Sequence, residues 1–329
     1  MSASTWGTVD RRGMRLAILT WVLTDLAVLC WQLVSAEAGL ETQNPLAPAW
    51  LLATNHPAVV GAAYLVAALC ALRFARRDAP WQAAAMLLLT YFCVEESFAA
   101  RFGPGRGFYP SGLVLMGWLA GEAFSRASGH SDRQTTEAWS EQGAIALIGV
   151  VYLSSGIAKL STSGLGWTHP GTIRQMILKH MPVEDGDLYM GLGRAMVESE
   201  VFCSAIAVST VVIQLGAALW VLFPRVRPLW GCLLIAFHLG THVLLDILYP
   251  GMIFYVTLFS FPWPRLFRVQ GGGEVTFEAP AVAWKKLAAV LALVIVAAWV
   301  VPVRLYAGRH RNLDRMHPRY QAIERSFED

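Results

Sequence analysis

Residues 139–160 read WSEQGAIALIGVVYLSSGIAKL, with one acid near the start and one lysine, Lys159, near the end. A helix needs roughly 20 predominantly apolar residues to cross the hydrocarbon core of a bilayer, and the stretch has that length. Its lysine is the anomaly. An ammonium group in lipid is costly unless it is paired, reaches the interface along its own stem, or gives up its proton.

Outward from this stretch the pattern repeats. Apolar runs of similar character occur at 14–35, 52–73, 80–98, 109–125, 200–223, 228–249, 250–264 and 283–303. Over the whole chain of 329 residues, 55% are apolar and 15% charged, against roughly 25% charged in an ordinary soluble domain. The expected fold is therefore all-α: a polytopic helical membrane protein of about nine transmembrane helices. The eighth run is the weakest, since it follows Tyr249-Pro250-Gly251 and ends at Pro262 and Pro264. The length is spent on spans, so one transmembrane domain over 1–303 is expected, followed by a charged tail over 304–329.

The net charge of +3 comes from scattered arginines with no basic block, which gives a nucleic-acid partner no support. What the arginines report is orientation. With the N-terminus in the cytoplasm, cytoplasmic segments before the tail collect fourteen Lys and Arg and external ones six, as the positive-inside rule requires. The six arginines from Arg304 to Arg325 stand against this if nine spans leave the tail outside; dropping the eighth span brings the tail in but strands Arg265, Arg268, Lys285 and Lys286 outside. The scarcity of lysine beside arginine reads as a bacterial coding bias, so the expected location is the bacterial plasma membrane. Arg11, Arg12 and Arg15 precede an apolar stretch to Val34 that is too long for a signal-peptide core, and it is read as an uncleaved span. All five cysteines lie within apolar runs without CxxC spacing, so neither disulfides nor zinc clusters are expected.

The longest external segment, 161–199, contains IRQMILKHM after Thr172. Ile173, Met176, Ile177 and Met181 fall at helical spacing opposite Arg174, Gln175 and Lys179, which predicts a short amphipathic helix at the outer interface.

Ionisable residues within the spans are functional candidates by default. Glu95 and Glu96 end the third span, Lys159 the fifth, and His238, His242 and Asp246 lie along the seventh; His56 opens the second and Asp25 sits inside the first. In the N-in orientation most of these groups reach the outer half, where they are expected to share one cavity. Tyr152, Ser155, Gly156 and Lys159 stand at i, i+3, i+4 and i+7, one polar, glycine-notched face. A snorkelling anchor does not require such a face, although the anchor reading stays open. His238, His242 and Asp246 drift around their helix over about 12 Å, a poor geometry for three-point chelation, so no metal is expected. Interhelical hydrogen bonding and substrate or proton handling both remain open for them. Adjacent Glu95 and Glu96 point about 100° apart, so one at most faces inward.

YLSSGIAKL followed by Trp167 and Gly171, and FHLGTHVLLDILYPGMIFYV at 237–256, resemble the HTTM domain, the membrane domain shared with vitamin K-dependent gamma-carboxylases. The resemblance implies that Lys159, at the lysine of the family's GxxKL motif, is the base that deprotonates a reduced quinone. Oxygen and carbon dioxide are then co-substrates: a strong base formed with oxygen takes a proton from a glutamate side chain, and carbon dioxide captures the carbanion. The family's active face is luminal, the counterpart of a bacterial exterior. His238 matches the family's histidine before a proline-containing break, and its implied role is orientation of the substrate or an oxygen anion. Tyr152, Trp167, His242, Asp246, Glu95 and His56 are the expected substrate-binding residues. Full carboxylases carry a large β-rich region after the membrane domain, whereas 26 mostly charged residues follow Val303 here. A smaller apolar molecule or short peptide is therefore the expected substrate. The alternative is a non-enzymatic helper, immunity or maturation protein with a membrane or secreted protein partner. An amine serves as a base only when neutral, and an apolar setting favours the neutral form of a lysine.

Overall fold

The computed structural model describes residues 11–35, 56–75, 81–102, 110–130, 132–180, 196–245 and 247–261. Among the described residues every regular element is helical. They are α1 (Arg11–Ser35), α2 (Pro57–Phe74), α3 (Trp81–Phe102), α4 (Pro110–Ala127), α5 (Arg133–Ser163), a 3-10 turn (Gly164–Thr168), α6 (Pro170–His180), α7 (Glu200–Leu222), α8 (Arg227–Leu245) and α9 (Pro250–Ser260). The expected span at 283–303 and the tail at 304–329 lie outside the described residues.

Among the described residues five stretches are long and apolar enough to cross a membrane: Gly13–Ser35, Pro57–Phe74, Thr135–Thr168, Glu200–Leu222 and Arg227–Leu245. The runs expected at 80–98 and 109–125 are helical, as α3 and α4, and carry Glu95, Glu96 and Glu122 within them. The eighth run forms a helix of 11 residues, α9. At 1.5 Å per residue it is about 16 Å long, roughly half the hydrocarbon thickness.

Local chemistry sets the helix ends. Pro57 stands at the first position of α2, where its missing N–H costs nothing. Ser199 caps α7 by accepting from the Phe202 N–H at 3.3 Å, and Asp132 caps α5 by accepting from the Thr135 N–H at 2.7 Å. That hydrogen bond holds the Asp132 carboxyl below its ordinary range. Past Lys159, α5 continues to Ser163, so the lysine lies one turn inside the helix and not at its end.

The chain divides into two compact units, with α5 running from the first into the second at Ile148 and Gly149. In the first unit α1 presents Ile18, Val22, Leu26, Leu29 and Leu33, a stripe at helical spacing, to a core shared with Leu87, Tyr91, Leu115 and Trp118. Trp31, Val28 and Leu16 point outward from the same helix, as a lipid-facing side would. Glu137 of α5 joins buried Arg15 of α1 at 3.3 Å to Arg133 at 2.7 Å. Helices α4 and α5 touch through backbone, Gly117 against Gly143 and Gly121 against Trp139, an approach that a side chain at these glycines would block.

In the second unit α7 turns Cys203, Ala207, Thr210, Val211, Gln214, Ala217 and Trp220 inward. Gly149 of α5 meets Val221, and Gly156 meets Gln214 and Leu215, so α5 and α7 run antiparallel. Arg227, buried at the start of α8, donates from Nε to the Trp220 carbonyl at 3.1 Å and from Nη2 to that of Val221 at 3.3 Å. It closes the C-terminus of α7, where orphan carbonyls and the helix dipole favour a cation. Trp220 Nε1 donates to Ser260 Oγ of α9 at 2.8 Å.

The amphipathic helix is α6, and it begins at Pro170 and not after Thr172, with His169 Nδ1 accepting from the Gly171 N–H at 3.2 Å. Its apolar side packs within the second unit. Ile173, Ile177 and Leu178 pack on Trp167, Cys203, Ala207 and Val211, while Met176 is exposed and Arg174 Nε donates to the Val197 carbonyl.

Candidate functional site

Helix α5 delivers Tyr152, Gly156 and Lys159 on one face, and α8 delivers His238 to the same unit. Tyr152 and His238 are 3% and 4% exposed, and Tyr152 Oη stands 2.5 Å from His238 Nε2. Aromatic rings surround the imidazole, with Phe237 centred 5.2 Å away and Tyr249, from the break before α9, at 5.6 Å. Two tautomers satisfy the pair. Either the phenol donates to Nε2 and Nδ1 carries the ring proton, or Nε2–H donates and Nδ1 is a bare acceptor. In both cases His238 Nδ1 is buried without a hydrogen-bond partner among the described residues.

Lys159 directs its ammonium over the ring of Trp167, Nζ lying 5.0 Å from the centroid. Such a contact is worth about 0.5–2 kcal/mol. Among the described residues no carboxylate forms an ion pair with it. The turn that presents Trp167 starts at Gly164, whose φ of 57° lies in the left-handed region that glycine enters without strain. Trp167 is itself fixed by the cluster under α6. The polar face of α5 therefore has two ends, the Tyr152–His238 pair and the Lys159–Trp167 pair, seven residues apart.

The other expected residues divide between the units. His242 lies one turn beyond His238 on α8, half-buried and on the same side; Asp246 lies outside the described residues. His56 and Glu95 belong to the first unit. The His56 imidazole is exposed and committed to capping α2, Nδ1 accepting from the Ala58 N–H at 3.2 Å. Glu95 is half-buried and Glu96 exposed, the split that their adjacency predicts. Asp25 accepts a hydrogen bond from Ser111 Oγ, tying α1 to α4.

One polar residue of the second unit escapes a reading restricted to ionisable groups. Gln214 is 5% exposed on α7, against the Gly156 notch, and among the described residues nothing hydrogen-bonds its Oε1. Its signal in the sequence is an uncharged amide within VVIQLGA, a place where hydropathy barely dips.

Fold and site together define an all-helical protein with membrane-length helices and a buried tyrosine–histidine pair in its second unit. No protein-family model, curated protein or solved structure matches the chain.

Proposed function

We propose that the protein is an HTTM-type enzyme of the bacterial plasma membrane, with its N-terminus in the cytoplasm, which uses Lys159 to deprotonate a quinol-like substrate at the external face. The observation that carries this reading is the buried Tyr152–His238 pair, whose Nδ1 has no hydrogen-bond partner among the described residues, with Tyr152 on the helical face that also presents Lys159.

The residues fit a flat, largely apolar hydroxyl compound. Tyr249 and Phe237 supply ring faces and edges around His238, and Nδ1 supplies one unused polar contact in an apolar setting. A reduced quinone, when bound, supplies a ring hydroxyl and the electrons for reaction with oxygen. Within this chain, Tyr152 donates to His238 Nε2, which fixes the proton on Nδ1 and makes that nitrogen a donor to the substrate oxygen. Lys159 Nζ receives the hydroxyl proton, and Trp167 then stabilises the ammonium so formed, since an indole face attracts a cation. Carbon dioxide and a glutamyl acceptor belong to the carboxylase version of this chemistry.

The test is mass spectrometry of apolar molecules that co-purify with the protein in mild detergent. An isoprenoid quinone at near-stoichiometric yield is the expected result. Recovery of no quinone or other discrete apolar ligand moves the reading to a helper or maturation protein without enzymatic activity.

A further inference from the structure

We infer that Gln214 is a ligand-binding residue, its carboxamide oxygen accepting a hydrogen bond from the hydroxyl of an aromatic alcohol held between Lys159 and the Tyr152–His238 pair; this rests on the quinol reading above and names a contact beyond it.

Three observations converge. First, Gln214 is one of the few polar side chains buried in the second unit, at 5% exposure, and its Oε1 has no hydrogen-bond partner among the described residues. A buried amide oxygen without a partner is unfavourable in any protein and more so where lipid replaces water. A leucine would fill the position at no such cost.

Second, its position is fixed by contact. A Cβ built on Gly156 would lie 3.2 Å from Gln214 Cβ and 3.0 Å from Leu215 Cδ2, so α7 presses against α5 at this residue. Gly156 lies between Tyr152 and Lys159 on one face, about 6 Å along the axis from the first and 4.5 Å from the second. Gln214 is thus level with the gap between the two polar pairs.

Third, the helices are antiparallel, and side chains lean toward the N-terminus of their own helix. Gln214 therefore leans toward the Lys159 end of α5. His238 Nδ1 is another buried polar atom of the unit with no hydrogen-bond partner among the described residues. A ring with two oxygens satisfies both: in the resting complex the hydroxyl beside the lysine donates to Gln214 Oε1, before its proton passes to Nζ, and the second oxygen accepts from His238 Nδ1–H, whereas a ring with one hydroxyl makes the Gln214 contact alone. Ring compounds without a hydroxyl leave the amide unpaired and bind less well, because the penalty then stays.

Equilibrium dialysis of the full-length protein, with matched detergent in both chambers, compares 1-naphthol with naphthalene. The native protein is expected to prefer 1-naphthol by at least tenfold. Gln214→Met keeps the shape and removes the acceptor, so the preference falls by roughly tenfold, the equivalent of one hydrogen bond; Gln214→Glu keeps an acceptor and retains the preference. Gln214→Met is also expected to melt at or above the native temperature, because an unpaired amide is lost. A native-like preference in Gln214→Met overturns the role of Gln214 and leaves the quinol reading standing. A Gln214→Met protein that melts lower or does not purify means that the protein itself bonds the amide, which overturns it as well. Absence of saturable 1-naphthol binding to the native protein overturns both readings.

Discussion

Tyr152 and His238 join α5 to α8 by a single hydrogen bond, Oη to Nε2 at 2.5 Å, in surroundings that leave both side chains under 5% exposed. Residues 86 positions apart are thereby made one unit, and removal of either partner strands the other.

That pairing predicts a measurable coupling. Tyr152→Phe and His238→Leu are each expected to destabilise the protein in detergent, and the double variant less than their sum. The coupling should be on the order of 1 kcal/mol, near the upper part of the range for hydrogen bonds between transmembrane helices. Thermal or denaturant unfolding of the four proteins measures it, and strict additivity would show that the two side chains do not bond.

For Lys159 the anchor and base readings separate on one substitution. Arginine also stacks on an indole, so Lys159→Arg keeps the Trp167 contact and the fold, but with a pKa above about 12 it gives up no proton. Lys159→Arg and Lys159→Ala are both expected to insert normally and to lose hydroquinone-dependent oxygen uptake. Full activity in Lys159→Arg would make the residue an anchor.

Arg227 donates to the carbonyls of Trp220 and Val221 from two nitrogens of one fork. Lysine cannot reproduce that geometry. Arg227→Lys is expected to cost about 1.5–3 kcal/mol, the value of hydrogen bonds to a charged group, and to increase hydrogen exchange at residues 217–223. Unchanged exchange there would contradict the capping role.

Asp132 gives a pH dependence with a definite sign. Its carboxyl titrates lower in the folded state than the ordinary value near 3.9 because the Thr135 N–H holds its charged form. Its contribution is therefore fully present above about pH 4 and is lost as pH falls through the folded value. Amide exchange at 133–137, corrected for intrinsic rate, is expected to rise below about pH 4 in the native protein and not in Asp132→Asn, which caps without titrating. Equal acid sensitivity of the two proteins would exclude the cap as its source.

The orientation is tested by single cysteines at Ser131 and Ser163 with an impermeant thiol reagent on intact cells. Labelling at 163 and not at 131 is expected. The reverse pattern would place the Lys159 end of α5 in the cytoplasm and remove the external-face proposal.

Helix identity was legible because its cause is local. An apolar run such as 200–223 can satisfy its backbone in lipid only by intrahelical bonds, and α7 occupies Glu200–Leu222 accordingly. Spacing also put Tyr152, Gly156 and Lys159 on one face, and adjacency separated Glu95 from Glu96. Partners were not legible, because they depend on which helices meet. Arg227, counted as one of the cytoplasmic cations, is a buried cap, and Ile173 and Ile177, read as the apolar side of an interfacial helix, lie against α7. Gln214 carries no charge to attract notice until α5 presses Gly156 against it. Nor could the sequence show that His56, read as a substrate group, accepts from the Ala58 N–H through Nδ1. Periodicity specifies which side of a helix is polar, since 3.6 residues make a turn. What that side faces is decided only when residues distant in sequence pack together, and a hydrogen bond such as Tyr152 to His238 exists only in the tertiary structure.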